Sequence, residues 1–307
     1  KTPERTIHIS GFEGSLYSAL TIPLVTVADQ QGVWLEANNT KLRWSLVALI
    51  SKRLDISSLE IEKVKIDRTP ISNDEKSKPT NEPFSLPSLP MDIEILNYTI
   101  NEIKVGEALA EIASEFKLGG ALFLTQTNGI DAKMTIASTA EHKDYIDFDI
   151  SFLKDSNDLE VKIDLMAPKA GLFQTLSDTI LQGDAFVTFV GTGPLKNWRG
   201  DMNAKIDDQS FLNAVIKRVD QITNIDADFK ISEFVPEEFK KLASGQNQLN
   251  LILSPAERTD ANNLDLTLTT DIALFKAHGI LSLVEPKETD AINFTLDITK
   301  TDAINEI

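Results

Sequence analysis

Cysteine is absent from the whole 307-residue chain, which excludes disulfides, thiolate catalysis and the usual structural zinc sites together. A cysteine-free chain suits an oxidising compartment without fixing one. Histidine is nearly absent: His8, His142 and His278 are the only three. They are far apart, with no second histidine at ligand spacing, and read as surface or internally satisfied side chains. Clusters of positive charge are missing too. Thirty basic residues stand against 47 acidic ones, for a net charge of −17, and no short segment is rich in lysine or arginine. A nucleic-acid surface is therefore excluded, and flat docking on an anionic membrane is opposed. The acidity serves solubility. No apolar run is long enough to span a bilayer as a helix, and no signal peptide is present. The chain opens on Lys1 instead of methionine and reads as an excised piece.

What the sequence has in quantity is period-two alternation. Ile146-Asp-Phe148-Asp-Ile150-Ser-Phe152 is one clean case, and Leu159-Glu-Val161-Lys-Ile163-Asp-Leu165 follows at hairpin distance. Leu249-Asn-Leu251-Ile-Leu253, Leu264-Asp-Leu266-Thr-Leu268 and Ile292-Asn-Phe294-Thr-Leu296-Asp-Ile298 repeat the scheme. Each predicts a strand with one apolar and one polar face. Turn signals at 155–158 and 258–263 separate them, so the expectation is an antiparallel meander. Asp147 and Asp149 share a face only because alternation puts them there, and no carboxylate, serine or glycine loop carries the context of a catalytic site. No enzyme and no cofactor is expected.

Helical candidates are few. Ser45 is placed to cap a helix over 46–53, with Lys52 and Arg53 at its negative end. Leu109, Ile112, Ala113 and Phe116 predict a second over 105–117, stopped by Gly119-Gly120. Shorter ones are predicted over 172–181 and 236–243. In 210–221 helical spacing competes with a strand. The polar stretch 72–83 predicts a loop or hinge.

The most particular phrase is a corner: a strand runs into Gly191-Thr-Gly193-Pro194-Leu195, and Trp198-Arg-Gly200 launches the next. Glycine opens backbone angles closed to other residues, proline fixes φ, and Leu195 and Trp198 can fold onto the sheet. Further phrases are Gly11-Phe-Glu-Gly14-Ser-Leu16, Asp29-Gln-Gln-Gly32-Val-Trp34-Leu35, Leu42-Arg-Trp44-Ser45 and Arg53-Leu-Asp-Ile56. Phe84-Ser-Leu-Pro87-Ser-Leu-Pro90, Val105-Gly-Glu-Ala108 and Ala167-Pro-Lys-Ala-Gly171-Leu follow. In content, order and spacing, over roughly residues 7 to 255, these phrases resemble the periplasmic TamB and AsmA-like proteins, the inner-membrane subunits of the translocation and assembly module. The last fifty or so residues carry only generic strand pattern.

A sheet with an apolar row must bury it, because exposure costs about 25 cal/mol per Å². Three solutions are open: a second sheet as in a sandwich, lipid around a membrane barrel, or the inside of a curved trough. The acidic residues between short apolar alternations speak against the barrel. The resemblance implies the trough, an elongated, curved antiparallel β-groove of the bridge-like lipid-transfer type with a few short helices. It implies an N-terminal β/α cap over 1–70, a polar, proline-containing loop over 71–90, and a continuing groove over 91–307. Phe148, Ile150, Val161, Ile163, Leu251, Leu266, Leu268, Phe294 and Leu296 would then line the groove and meet phospholipid acyl chains. Trp34 and Trp44 would be packing anchors at a closed end, and the helix from Leu46 a plug there. The resemblance further implies a bacterial periplasmic location, an inner-membrane anchor outside this chain, and a TamA-type outer-membrane barrel as partner. Phospholipid transport between the membranes, in support of outer-membrane biogenesis, is the implied function. Outer-membrane protein assembly or secretion by strand pairing is the alternative, an interaction scaffold.

Overall fold

The computed structural model describes residues 6–15, 17–71, 90–106, 114–125, 129–139, 143–176, 181, 183–230, 245–257, 261–282 and 292–298. These are mainly β. In chain order come β1 (Thr6–Ile9), β2 (Glu13–Ser15), β3 (Ala19–Asp29), β4 (Gly32–Ser45), α1 (Leu46–Ile50), β5 (Arg53–Ile66), β6 (Asp92–Val105), β7 (Ser114–Thr125), β8 (Gly129–Ser138), β9 (Tyr145–Leu153) and β10 (Asp158–Ala167). After α2 (Leu172–Leu176) come β11 (Ala185–Thr192), β12 (Asn197–Ile206), β13 (Gln209–Val219), β14 (Ile222–Phe229), β15 (Asn247–Pro255), β16 (Ala261–Thr269), β17 (Ala273–Ser282) and β18 (Ile292–Ile298). The chain divides into two compact units, one of Lys1–Glu75 with Leu86–Ile180, the other of Lys76–Ser85 with Leu181–Ile307. The division falls near residue 180, within the stretch expected to continue unbroken from 91 to 307.

In the first unit β3 to β10 pair in sequence order, and the short strands β1 and β2 both pair with β3. All pairs are antiparallel except β5 with β6, which is parallel. This departs from the expected pure meander. A parallel pair needs a connection that returns the chain to the starting end, and residues 67–91 make it. Most of that return, together with the predicted loop at 72–83, lies outside the described residues.

Register explains how so irregular a sequence keeps one apolar face. Leu54, Ile56, Leu59, Ile61, Val64 and Ile66 in β5 pair with Ile93, Ile95, Tyr98, Ile100, Ile103 and Val105 in β6. Both sets are spaced two, three, two, three, two. Strict alternation would send every second pair to the wrong side. Two irregularities between β6 and β7, at Ile95/Tyr98 and Ile100/Ile103, absorb the extra residues. The same β6 side chains therefore face the evenly spaced Leu124, Leu122, Gly120, Leu118 and Phe116. A further shift between Arg43 and Trp44 keeps Trp44 beside Ile56.

The second unit is an antiparallel ladder from β11 to β18 in sequence order. Its strands are the regular ones, with one shift at Ala204/Lys205. Among the described residues the hydrophobic interior is thin: nine of the thirteen buried hydrophobic residues are alanines. The largest fully buried side chains among the described residues, Asn247 and Asp144, are polar. Large apolar side chains therefore sit half-buried along the sheets, unlike the densely filled middle of a sandwich.

Several expected helices are corrected. The second, over 105–117, is strand where it is described: β6 runs to Val105, β7 begins at Ser114, and Gly119-Gly120 lie within β7. Residues 107–113 lie outside the described residues. Partner strands on both sides win over the helical spacing of Phe116 and its neighbours. The first helix is only Leu46–Ile50, and Ser45 makes no side-chain cap. Lys52 takes a left-handed φ of 55° and Arg53 already begins β5. The helix at 172–181 is described as α2 alone. The segment 210–221 is settled as β13, and the helix at 236–243 lies outside the described residues.

Candidate functional site: two apolar sheet faces

The rows of paired residues define the site. In the first unit one row crosses eight strands through Ile22, Thr40, Ile61, Ile100, Leu118, Ile136, Ile146 and Leu165. The next row runs through Leu20, Leu42, Leu59, Tyr98, Gly120, Met134, Phe148 and Ile163. Paired residues lie on one side of a sheet, so these rows form one apolar face. Of the predicted lining, Phe148 pairs with Ile163 and Ile150 with Val161, all on this face.

In the second unit a row passes through Gly191, Gly200, Ile216, Ile225, Leu251, Leu266, Ala277 and Phe294. Beside it run Phe189, Met202, Ala214, Ala227, Leu249, Leu268, Phe275 and Leu296. The remaining predicted lining residues, Leu251, Leu266, Leu268, Phe294 and Leu296, thus share the second face. Phe294 is 71 % exposed although its ring stacks 6.2 Å from Phe275.

The corner phrase has a double logic. Gly193 takes φ +122°, a conformation glycine tolerates. Gly191 and Gly200 serve space instead: a Cβ on Gly191 would lie 2.0 Å from the Trp198 ring, and one on Gly200 2.8 Å from both Trp198 and Phe189. The indole lies across the two glycines and meets Phe189 at 5.9 Å. Pro194 sits in the turn, its carbonyl accepting the Asn197 N–H at 2.7 Å, and Leu195 is half-buried beside it. Gly11, Gly14 and Gly32 also have positive φ. Tyr98 repeats the device in the first unit, paired with Gly120 and donating its hydroxyl to the Lys133 carbonyl at 3.2 Å. Burial pushes the Tyr98 phenol up. Trp34 lies in β4 and Trp44 near its end. Their indole N–H groups and the Thr40 hydroxyl are buried without a partner.

The opposite faces are polar. In the first unit Lys63 and Lys104 flank Glu102 at 3.1 and 3.0 Å, and Lys104 also meets Glu115. Glu102 is held below the usual carboxylate range by Lys104 first and Lys63 second. In the second unit Asn250 donates to Asn224 at 2.9 Å and to Asp226 at 2.7 Å. A cavity of about 260 Å³ lies on this polar face between Asp226, Asp228, Gln248, Asn250, Thr267 and Thr269. His278 contacts Asp265 across the same face. Among the described residues, no three histidine, aspartate or glutamate side chains gather as a metal site.

Sequence reasoning missed a part of the apolar face that the fold makes distinctive. An apolar cavity of about 360 Å³ lies between β6, β7, β8, β9, β10 and α2. Ile103, Phe116, Leu118, Ile136, Ile146 and Leu165 form its floor and Phe173 its far wall. The rings of Phe116 and Phe173 stack 6.2 Å apart. Asp144, wholly buried, accepts the Leu172 and Phe173 N–H groups at 3.0 and 2.9 Å. Gln174, also buried, donates to the Ala167 carbonyl at 2.8 Å. The Pro-Lys-Ala-Gly turn and a helix after it are legible in the sequence; the overlooked signal is Asp144, just before an alternating strand.

Each unit therefore belongs to the class of open β ladders with one long apolar face and one polar face. No family model, curated protein or solved structure matches the chain.

Proposed function

We propose that this chain binds phospholipid acyl chains along its apolar sheet faces and passes them, without covalent chemistry or a cofactor, between the two membranes of a bacterial envelope. One observation carries the reading: in each unit an apolar face continues across eight strands in register while its large side chains stay half-exposed. Each methylene moved from lipid to water costs about 0.8 kcal/mol, on the order of ten kcal/mol for a whole tail. A continuous apolar wall removes most of that cost along its length and leaves the headgroup in water, so little headgroup selectivity is needed. The resemblance to TamB and AsmA-like proteins supports a bridge-type groove, a periplasmic location, an inner-membrane anchor outside this chain and a TamA-type barrel partner.

Purification from a bacterial periplasm followed by native mass spectrometry and lipid extraction tests this reading. Phospholipid should co-purify and be lost from a Leu266→Asp, Phe294→Asp double variant that keeps its β circular dichroism. A folded, lipid-free parent protein would overturn the reading. The alternative, a scaffold pairing strands with outer-membrane clients, is favoured by Ile7 and Ile9, 62 % and 51 % exposed in the short flanking strand β1. Under that reading, proline in β1 abolishes client binding and leaves lipid loading intact.

A further inference from the structure

We infer that α2 is a strap that clamps one alkyl chain against the face of β6 to β10, with Phe173 bearing on the chain and Asp144 as the residue that positions the strap. The inference rests on the acyl-chain reading and names a distinct holding point within it. Three observations converge. The floor follows a single row, Leu118, Ile136, Ile146 and Leu165, extended to β6 by Ile103 and its partner Phe116. At about 4.8 Å per strand that is roughly 19 Å across five strands, close to the length of a long fatty acyl chain. The cavity, about 360 Å³, falls within the range of small-molecule pockets, about 300–1,000 Å³, and all seven of its described lining residues are apolar.

The strap itself is built to hold its place. A five-residue helix has no stability of its own, yet this one is pinned by buried polar side chains at its start and in its middle. Asp144 is wholly buried and spends both carboxylate oxygens on backbone N–H groups of Leu172 and Phe173. Gln174, 3 % exposed, ties the helix back to the last residue of β10. Ala170 takes a left-handed φ of 56° in the approach turn, a strained geometry for a residue with a Cβ. Burying a carboxylate and straining the backbone to hold one aromatic ring over a sheet has a purpose if the ring and sheet grip something between them. A phospholipid tail or a free fatty acid offers the same alkyl chain.

The test uses the full chain and a long-chain fatty acid carrying a terminal alkyl diazirine, photolysed, digested and mapped by mass spectrometry. Adducts are expected on the β8–β9 floor and on α2, and Ile136→Trp, which fills the cavity, should remove them while adducts on β15 and β16 persist. Labelling only on β15 to β18 would overturn the strap and leave the acyl-chain reading standing. Labelling nowhere would overturn both. Dissociation of a fluorescent fatty acid supplies the second readout. Phe173→Ala should speed release from the floor about tenfold, an order expected for loss of one aromatic contact, and release at the parent rate would overturn the clamp. Asp144→Ala should match it, with Asp144→Asn, which keeps one acceptor oxygen, in between. If Asp144→Ala does not fold, Phe173→Ala decides.

Discussion

Single side chains here matter most where they hold backbone or fill a missing Cβ. Asp29 receives both terminal nitrogens of Arg68, at 2.6 and 2.7 Å, and the Ile71 N–H at 2.9 Å. Its side chain is 1 % exposed. The Arg68 guanidinium, then the Ile71 and Gln31 amides, hold its carboxyl far below the usual carboxylate range. A folded pKa below the unfolded one stabilises fully above the unfolded value, about 3.9, and that stabilisation fades as pH falls through and below it. Asp29→Asn should therefore be less stable than the parent at neutral pH and approach it near pH 2, a pattern that denaturant melts across pH will show. Gly191→Ala should cost about 1–3 kcal/mol, as overpacking does, because the new methyl would meet the Trp198 ring. A companion shift in tryptophan emission will tie the loss to that ring. The same substitution at Gly193 tests the positive φ and a clash with the Asn197 carbonyl, 2.8 Å from the new Cβ, instead of the indole, and should leave the emission nearer the parent's.

At the scale of elements, the irregular strands keep the apolar face whole. Deleting Asn101 removes the residue absorbed between Ile100 and Ile103, so β6 should keep its face toward the evenly spaced β7 but lose its common spacing with β5, breaking the pairs of Val64 and Ile66 with Ile103 and Val105. Loss of hydrogen-exchange protection where β5 and β6 pair beyond Ile61 and Ile100, with protection kept between β7 and β8, is the expected result. These elements were also the hard ones to read. Regular runs such as Ile146 to Phe152 and Leu264 to Leu268 announce strands because nothing competes with their period. Spacing of two and three in turn is different: Leu59, Ile61, Val64 and Ile66 keep neither the strict period of two nor the helical period. Phe116, at helical distance from Ile112 and Ala113, predicts a helix on that ground. A bulge is decided by the neighbouring strand, and no window of one strand contains its neighbour. The face residues were legible as strand residues with their inner side. Their grouping by row, and the strap over one row, needed the register.

At the scale of the whole molecule, the large strand-to-strand contacts among the described elements join only hydrogen-bonded neighbours. Stability then accumulates pair by pair, as in repeat proteins, instead of through one shared interior. Hydrogen exchange should rank interior strands such as β5 and β6 above flanking ones such as β1 and β18, and bound lipid should raise protection along the apolar faces. A sharp global transition with uniform protection would contradict this. The shared cadence of β5 and β6 has one more consequence, for how such a chain changes over generations. A residue gained or lost in one strand throws its row out of phase unless the strand beside it, or a bulge, takes up the difference. Length changes must then come in matched sets in separate parts of the gene, so that relatives drift apart by coupled insertions and deletions while the wall they build stays apolar.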